Sequence, residues 1–303
     1  MANRRVLVKR RKSVKNIRKI TRTMQLIATA RFQSTHGRAV ASRPYSDKLG
    51  ELVSDLSRAA GGEADHPLMR RTETPKRSVL VVITSNRGFC GAYNANILRL
   101  ATSFLDSRQD SEEAEVYMVG RKGVSYFRFI GRDTERQITN LGENPRFEEV
   151  EPIGNELMRR FTDGEIDAVH VAYMRFESTS RQEPTVAQLL PLQALDDTSS
   201  DEAVADDTSE TATATTSIEY EFSPAPKELL DALLPASVRM RLFQAFLDAV
   251  VSEHVARMVA MKAATDSAGD MIKTLTREYN RARQTHITME LLDILGGVNA
   301  LEG

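Results

Sequence analysis

The last segment constrains the chain most. From Ala236 to Leu295 there is no proline and a single glycine, Gly269. Within it Val250, His254, Arg257, Met261, Ala264, Ala268, Met271 and Leu275 recur at alternating intervals of four and three. Such a seam, sustained over more than three heptads, belongs to a coiled coil. About 60 helical residues at 1.5 Å each would span roughly 90 Å, more than any compact core can cover. A helix of this length needs a partner along its side. The seam is rich in alanine (Ala256, Ala260, Ala263, Ala264 and Ala268), which lets two helices approach closely. Gly296-Gly297 is expected to end it.

The partner is sought at the other end. Residues 1–36 contain neither proline nor glycine, and Ile17, Ile20, Met24 and Ile27 fall on one helical face. Gly37 and Pro44 could interrupt the pattern, which resumes at Leu49, Leu52, Val53 and Leu56 and stops at Gly61-Gly62. The expectation is an N-terminal coiled-coil helix over 1–60 and a C-terminal one over 223–303, antiparallel, with the Ile17–Ile27 stripe on the seam. The first 43 residues hold 13 Lys and Arg and no acid, whereas residues 182–226 have no Lys or Arg. The net charge of −1 hides this split, which points to an electrostatic partner for the basic end. A basic, acid-free start also suits a transit peptide. Its periodicity runs unbroken into Arg31, so it is read as mature protein.

Between the helices the period changes. Ser78–Thr84 is a short β-branched run of the kind covered on both faces. Strands are expected at Glu115–Val119 and Ile166–Phe176, and helices at Asn94–Leu105, Lys122–Ile130 and Glu149–Phe161. This alternation implies βαβ units and a largely parallel sheet over 76–222. Thr185–Leu192 should pair with the preceding strand as a hairpin. Residues 194–217 are acidic and rich in Ser, Thr and Ala, and are expected to form a disordered loop. Ile218–Phe222 could return as an edge strand. The fold class is thus α/β plus a long antiparallel α-helical coiled coil formed by the N- and C-terminal segments.

Candidate chemistry is sparse. A single cysteine, Cys90, excludes a disulfide within the chain. The five histidines are scattered without metal-ligand spacing, so neither a metal nor another cofactor is expected. No run reaches the roughly 18 apolar residues of a membrane span. The loop Thr84–Asn94 joins the first strand to its helix, where ligands often bind in open α/β sheets. It lacks both the G-x-G-x-x-G and the Gly-Lys-Ser/Thr patterns. Gly88 and Gly91 are therefore assigned to a tight turn and close packing, and Asn94 to a helix cap. Glu253 and His254 are adjacent on a helix and point about 100° apart, which argues against an acid–base pair. The basic N-terminus lacks interleaved aromatics and any reader motif, so nucleic acid is not expected. Its striping suits acidic protein surface.

Four stretches then resemble one family. They are Ser13–Ala28 (SVKNIRKITRTMQLIA), Ser85–Asn94 (SNRGFCGAYN), Ser252–Asp266 (SEHVARMVAMKAATD) and Leu275–Leu301 (LTREYNRARQTHITMELLDILGGVNAL). In this order they resemble the gamma subunit of F-type ATP synthases. Asn86 stands where that family often has Asp, Thr285-His286 replaces small residues, and the 194–217 loop is longer than usual. The resemblance implies a central rotor shaft of a proton-translocating ATP synthase, itself non-catalytic, with a Rossmann-like domain that binds no nucleotide. It implies the alpha and beta subunits of the catalytic hexamer, the epsilon subunit and the membrane rotor ring as partners, at one copy per complex. The implied location is the cytoplasmic face of the bacterial inner membrane, peripherally bound. Carried over by position, the beta-subunit contacts would be Met24, Arg283, Gln284, Thr288 and Glu290. Ile294 and Leu295 would form the tip bearing. Arg10, Arg11, Lys12, Lys15, Arg18, Lys19 and Arg22 would form the basic face. Two other readings compete. A coiled-coil adaptor on an anionic protein or membrane surface would bind one to one, and an enzyme using Ser85–Asn94 would bind a ligand alone.

Overall fold

The computed structural model of the protein describes residues 4–59, 66–70, 72, 75–108, 113–192 and 226–302, without side chains at 57–59, 226–227 and 299–302. The expected loop at 194–217 and edge strand at 218–222 lie outside these residues. Two helices frame the chain, α1 (Arg4–Ala59) and α5 (Pro226–Glu302), of 56 and 77 residues. Pro44 lies inside α1 and Pro235 inside α5 without ending either. Helix α5 begins within the expected 223–303 segment, ahead of the proline-free run, with Pro226 at its first position, where the missing N–H costs nothing. Gly296-Gly297 does not end it. Neither glycine takes the left-handed conformation of a C-cap, and the helix runs through both.

The chain divides into two compact units. One comprises Met1–Gln33, Phe89–Gly91 and His254–Gly303; the other comprises Ser34–Gly88 and Ala92–Glu253. The α/β unit therefore includes the second half of α1 and the first part of α5.

In the α/β unit, β1 (Arg77–Ile83), β2 (Glu113–Val119), β3 (Arg136–Ile138), β4 (Ala168–Phe176) and β5 (Gln182–Leu190) form one sheet in the order β3-β2-β1-β4-β5. Strand β1 is central and parallel to β2 and β4, and Val79, Leu80, Val81 and Val82 are fully buried, as a strand covered on both faces requires. Strand β5 closes the sheet antiparallel to β4, as the hairpin pattern implied. The three-residue β3, parallel to β2, was not foreseen; its segment Arg-Gln-Ile offers too little apolar alternation to register.

Helices α2 (Tyr93–Arg108), α3 (Arg121–Phe129) and α4 (Phe147–Thr162) supply the crossovers. From Leu242 to Val255 almost every position of α5 is buried, the pattern of a helix packed on all sides. Ser252 Oγ donates to the Met174 carbonyl of β4 (3.2 Å). On α4, Phe147 meets Phe243 edge to face (5.6 Å between centroids), and Gly154 leaves room for Leu242. On α1, Ser42 Oγ donates to Gln244 Oε1 (2.7 Å), while Arg43 reaches the Phe176 carbonyl (2.8 Å).

The other unit is a two-helix coil. Arg11 stacks over the Tyr279 ring at 5.0 Å, Arg18 lies beside Gly269, and Thr265 Oγ1 donates to Thr21 Oγ1 at 2.8 Å. Rising numbers on α1 meet falling numbers on α5, so the helices are antiparallel, as expected. Leu7, Val14, Ala268 and Leu275 form its buried cluster, with Ile272 and Ala282 against it. The faces differ from expectation. Ile17, Ile20 and Ile27 are 52%, 58% and 48% exposed, and the inward positions of α1 are Leu7, Val14, Thr21 and Ala28, spaced by seven. On α5 the seam past Met261 passes through Thr265, Ala268, Ile272, Leu275, Tyr279 and Ala282. It leaves Ala264 half-buried and Met271 outside.

His254, buried within this unit, has its pKa pushed down to about 4 by desolvation and by the nearby Arg257 and Arg31 charges. The unfolded chain binds this proton near 6.5 and the folded one does not, so stability is full above that value and falls as pH drops toward 4. The wild-type chain should lose about 2 kcal/mol from this group between pH 7 and 5. A His254→Gln variant should be flatter by that amount in urea unfolding across the same range. Equal slopes for the two chains would show that His254 does not titrate this way.

Candidate functional site

The strand–helix loop 84–94 is closed upon itself. Ser85 N–H donates to Asn94 Oδ1 (3.0 Å), so Asn94 ties the loop from within the first turn of α2 instead of capping that helix. Asn86 accepts from Arg121 N–H (3.1 Å) and donates to the Leu141 carbonyl (2.8 Å). The first N–H groups of α3 are all taken. Arg121 donates to Asn86, Lys122 to the Ser85 carbonyl (3.1 Å), Gly123 to Thr84 Oγ1 (3.0 Å) and Val124 to the Gly120 carbonyl. A phosphate-binding helix start would leave these donors pointing at the ligand. Here they are spent on the loop itself. Gly91 takes the expected positive φ (56°), and its Cα faces Ala260. Phe89, two residues earlier, also takes a positive φ (64°) and is exposed.

The coil carries the rest of the candidates. Its basic residues gather at an open groove of about 830 Å³ lined by Lys15, Arg18, Lys19, Arg22, Asp266 and Ile272, among others. Arg11 is occupied by Tyr279, Arg22 donates to Gln25 Oε1 (2.9 Å), and Arg10 and Lys12 are exposed. Met24 is half-buried. Arg283, Gln284, Thr288 and Glu290 are exposed, and Thr288 Oγ1 donates to its own helix at the Gln284 carbonyl (3.0 Å). Ile294 and Leu295 are each 59% exposed, within a run that also presents Ile287, Met289, Leu291, Leu292 and Val298. The basic groove and the apolar end thus occupy different stretches of one coil. The residue reading missed the exposed Leu26 and the inward Thr21–Thr265 pair; threonine at a heptad position gives no apolar signal.

A coil with charged and apolar binding chemistry on its outside, carried with an α/β sheet unit, defines a stalk-type subunit that works by contact with other chains. A family model described as ATP synthase matches residues 3–301. An ATP synthase gamma chain from Rhodopirellula baltica is 45% identical, covering 100% of both chains. That of Actinobacillus pleuropneumoniae serotype 5b is 40% identical over 95% of this chain and 96% of its own. The chain belongs to the ATP synthase gamma-chain family and is a component of that enzyme complex. Two solved structures share its fold. They are the rotor of the Euglena gracilis mitochondrial ATP synthase (TM-score 0.61, 18% identity, 94% and 98% of the two chains) and the central stalk of the Tetrahymena thermophila enzyme (0.57, 20%, 81% and 99%). Among the described residues no helix is long and apolar enough to cross a membrane.

Proposed function

We propose that the chain is the central rotor shaft of a proton-translocating ATP synthase, itself non-catalytic and seated peripherally on the cytoplasmic face of the bacterial inner membrane. One observation carries this. The coil turns Val6, Ile17, Ile20, Leu26 and Ile27 outward on α1, and Ile287, Leu291, Leu292, Ile294 and Leu295 outward on α5. Soluble monomers rarely leave so much apolar surface exposed together, so this coil calls for a sleeve of other chains around it. The alpha and beta subunits supply that sleeve. Their acidic loops meet the Lys15–Arg22 groove, the polar residues near 283–290 engage beta-subunit loops, and Ile294 and Leu295 turn in an apolar collar. The epsilon subunit and membrane rotor ring hold the α/β unit. Because the coil's faces differ in chemistry around its circumference, each surrounding beta subunit meets a different face at any instant. That difference is what rotation converts into successive open, loose and tight sites.

Mixing the chain with alpha and beta subunits should yield a complex with one copy per three alpha–beta pairs and with ATPase activity. One-to-one binding without activity would favour an adaptor and overturn the shaft reading.

A further inference from the structure

In the α/β unit, a cavity of about 240 Å³ opens between α1, the β4–β5 hairpin and α5, lined by Ser46, Tyr173, Gln188, Arg241 and Gln244 with apolar walls from Val171 and Leu189. Arg241 is only partly exposed, and burial pushes its guanidinium pKa down, yet a guanidinium keeps its charge in proteins. No carboxylate pairs with it among the described residues. The next acid along α5, Asp248, is engaged by Gln244 Nε2 (3.0 Å) and Arg43 (3.6 Å). An uncompensated, largely desolvated cation is costly and calls for an anion. The hydroxyls of Ser46 and Tyr173 likewise have no hydrogen-bond partner among the described residues. By contrast, the amides of Gln188 and Gln244 already donate to the Pro191 carbonyl and to Asp248. The cavity thus gathers one fork-shaped cation and two hydroxyl donors, and no carboxylate lines it among the described residues.

We infer that this cavity binds a small oxyanion of the phosphate class. Arginine matches the geometry of such a group with two parallel N–H donors, and the hydroxyls can complete its remaining oxygens. At about 240 Å³ the space falls below the range that encloses larger organic ligands. It admits one oxyanion with its waters, so a free ion is favoured over a nucleotide. The lining belongs wholly to the α/β unit, and the inference does not depend on the shaft reading.

The test titrates the full-length chain with inorganic phosphate against chloride at matched ionic strength, following the unfolding temperature and the binding heat. The wild-type chain should respond saturably in the millimolar range, and Arg241→Gln should weaken the midpoint at least tenfold. Ser46→Asp places a carboxylate in the cavity to pair with Arg241 and should abolish the response while the chain stays folded. This second variant decides the matter should Arg241→Gln fail to fold. A wild-type chain that responds no more to phosphate than to chloride overturns the site, as would either folded variant titrating like wild type.

Discussion

Replacing Gln284 and Thr288 together by Ala should leave the chain folded and lower ATP turnover and ATP-driven proton pumping of the assembled complex by about tenfold. Both residues are exposed, four apart, and therefore on one face of α5. The Thr288 hydroxyl is bonded only to its own helix at the Gln284 carbonyl, an arrangement that slightly disfavours the helix. Alanine at such positions costs the isolated chain nothing. Two charged and two neutral polar groups (Arg283, Glu290, Gln284 and Thr288) crowd this stretch beside the outward Ile287 and Leu291. A polar patch within an apolar surface that must be enclosed has to find partners on the enclosing chain, or its burial is penalised. Hydrogen bonds to charged groups are worth about 1.5 to 3 kcal/mol each. Losing one at the rate-limiting stage corresponds to roughly a tenfold slower step. Wild-type rates from both assays in an intact complex would remove these residues from the coupling mechanism.

The second large effect concerns stability. Gly120 precedes α3 with φ 92° and ψ 143°, a conformation that side chains avoid. A Cβ there would lie 2.3 Å from the Thr84 carbonyl oxygen and 2.8 Å from Thr84 Oγ1. Both atoms are fixed. The Thr84 hydroxyl bridges the Val119 carbonyl (2.7 Å) and the Gly123 N–H (3.0 Å), and Gly120 N–H itself reaches the Ile138 carbonyl (2.9 Å). The clash therefore cannot be relieved without parting β1, β2 and β3 at their C-terminal ends. Gly120→Ala should cost at least about 3 kcal/mol in chemical denaturation of the full chain. Gly37→Ala makes the contrast, since nothing lies within 4 Å of its would-be Cβ, and should gain about 0.5 to 1 kcal/mol. Equal midpoints for Gly120→Ala and wild type would mean that the Thr84 junction is far softer than its bonds imply.

The sheet unit was legible because its strands announce themselves. Val79–Ile83 is an unbroken apolar run, β-branched at every position but Leu80, and the turn after β4 leads straight into Thr185–Leu190. The length of both terminal helices was equally plain from the scarcity of Pro and Gly. What escaped was which side of α1 faces α5. Four regularly spaced apolar residues from Ile17 to Ile27 imitate a packing stripe, yet the true seam is Leu7, Val14, Thr21 and Ala28. Two of those four carry little or no apolar side chain, because a close helix pair needs small groups at its centre. An apolar stripe reveals that a surface will be covered, but not by which chain. The same limit hid the Arg241 cavity, whose lining comes from residues some 200 positions apart. No local spacing links Ser46 to Arg241.

The groove lined by Lys15, Arg18, Lys19 and Arg22, and by Asp266, has a kinetic consequence. Four like charges within two helical turns raise the local potential and draw an oppositely charged surface in from solution. At physiological ionic strength that pull fades beyond about 8 Å. Screening therefore acts on the encounter and leaves the lifetime of the docked pair largely untouched. Added salt would slow capture of the coil by an acidic sleeve far more than it would hasten release. An assembly formed in dilute buffer would then persist after transfer to concentrated salt that prevents it from forming anew.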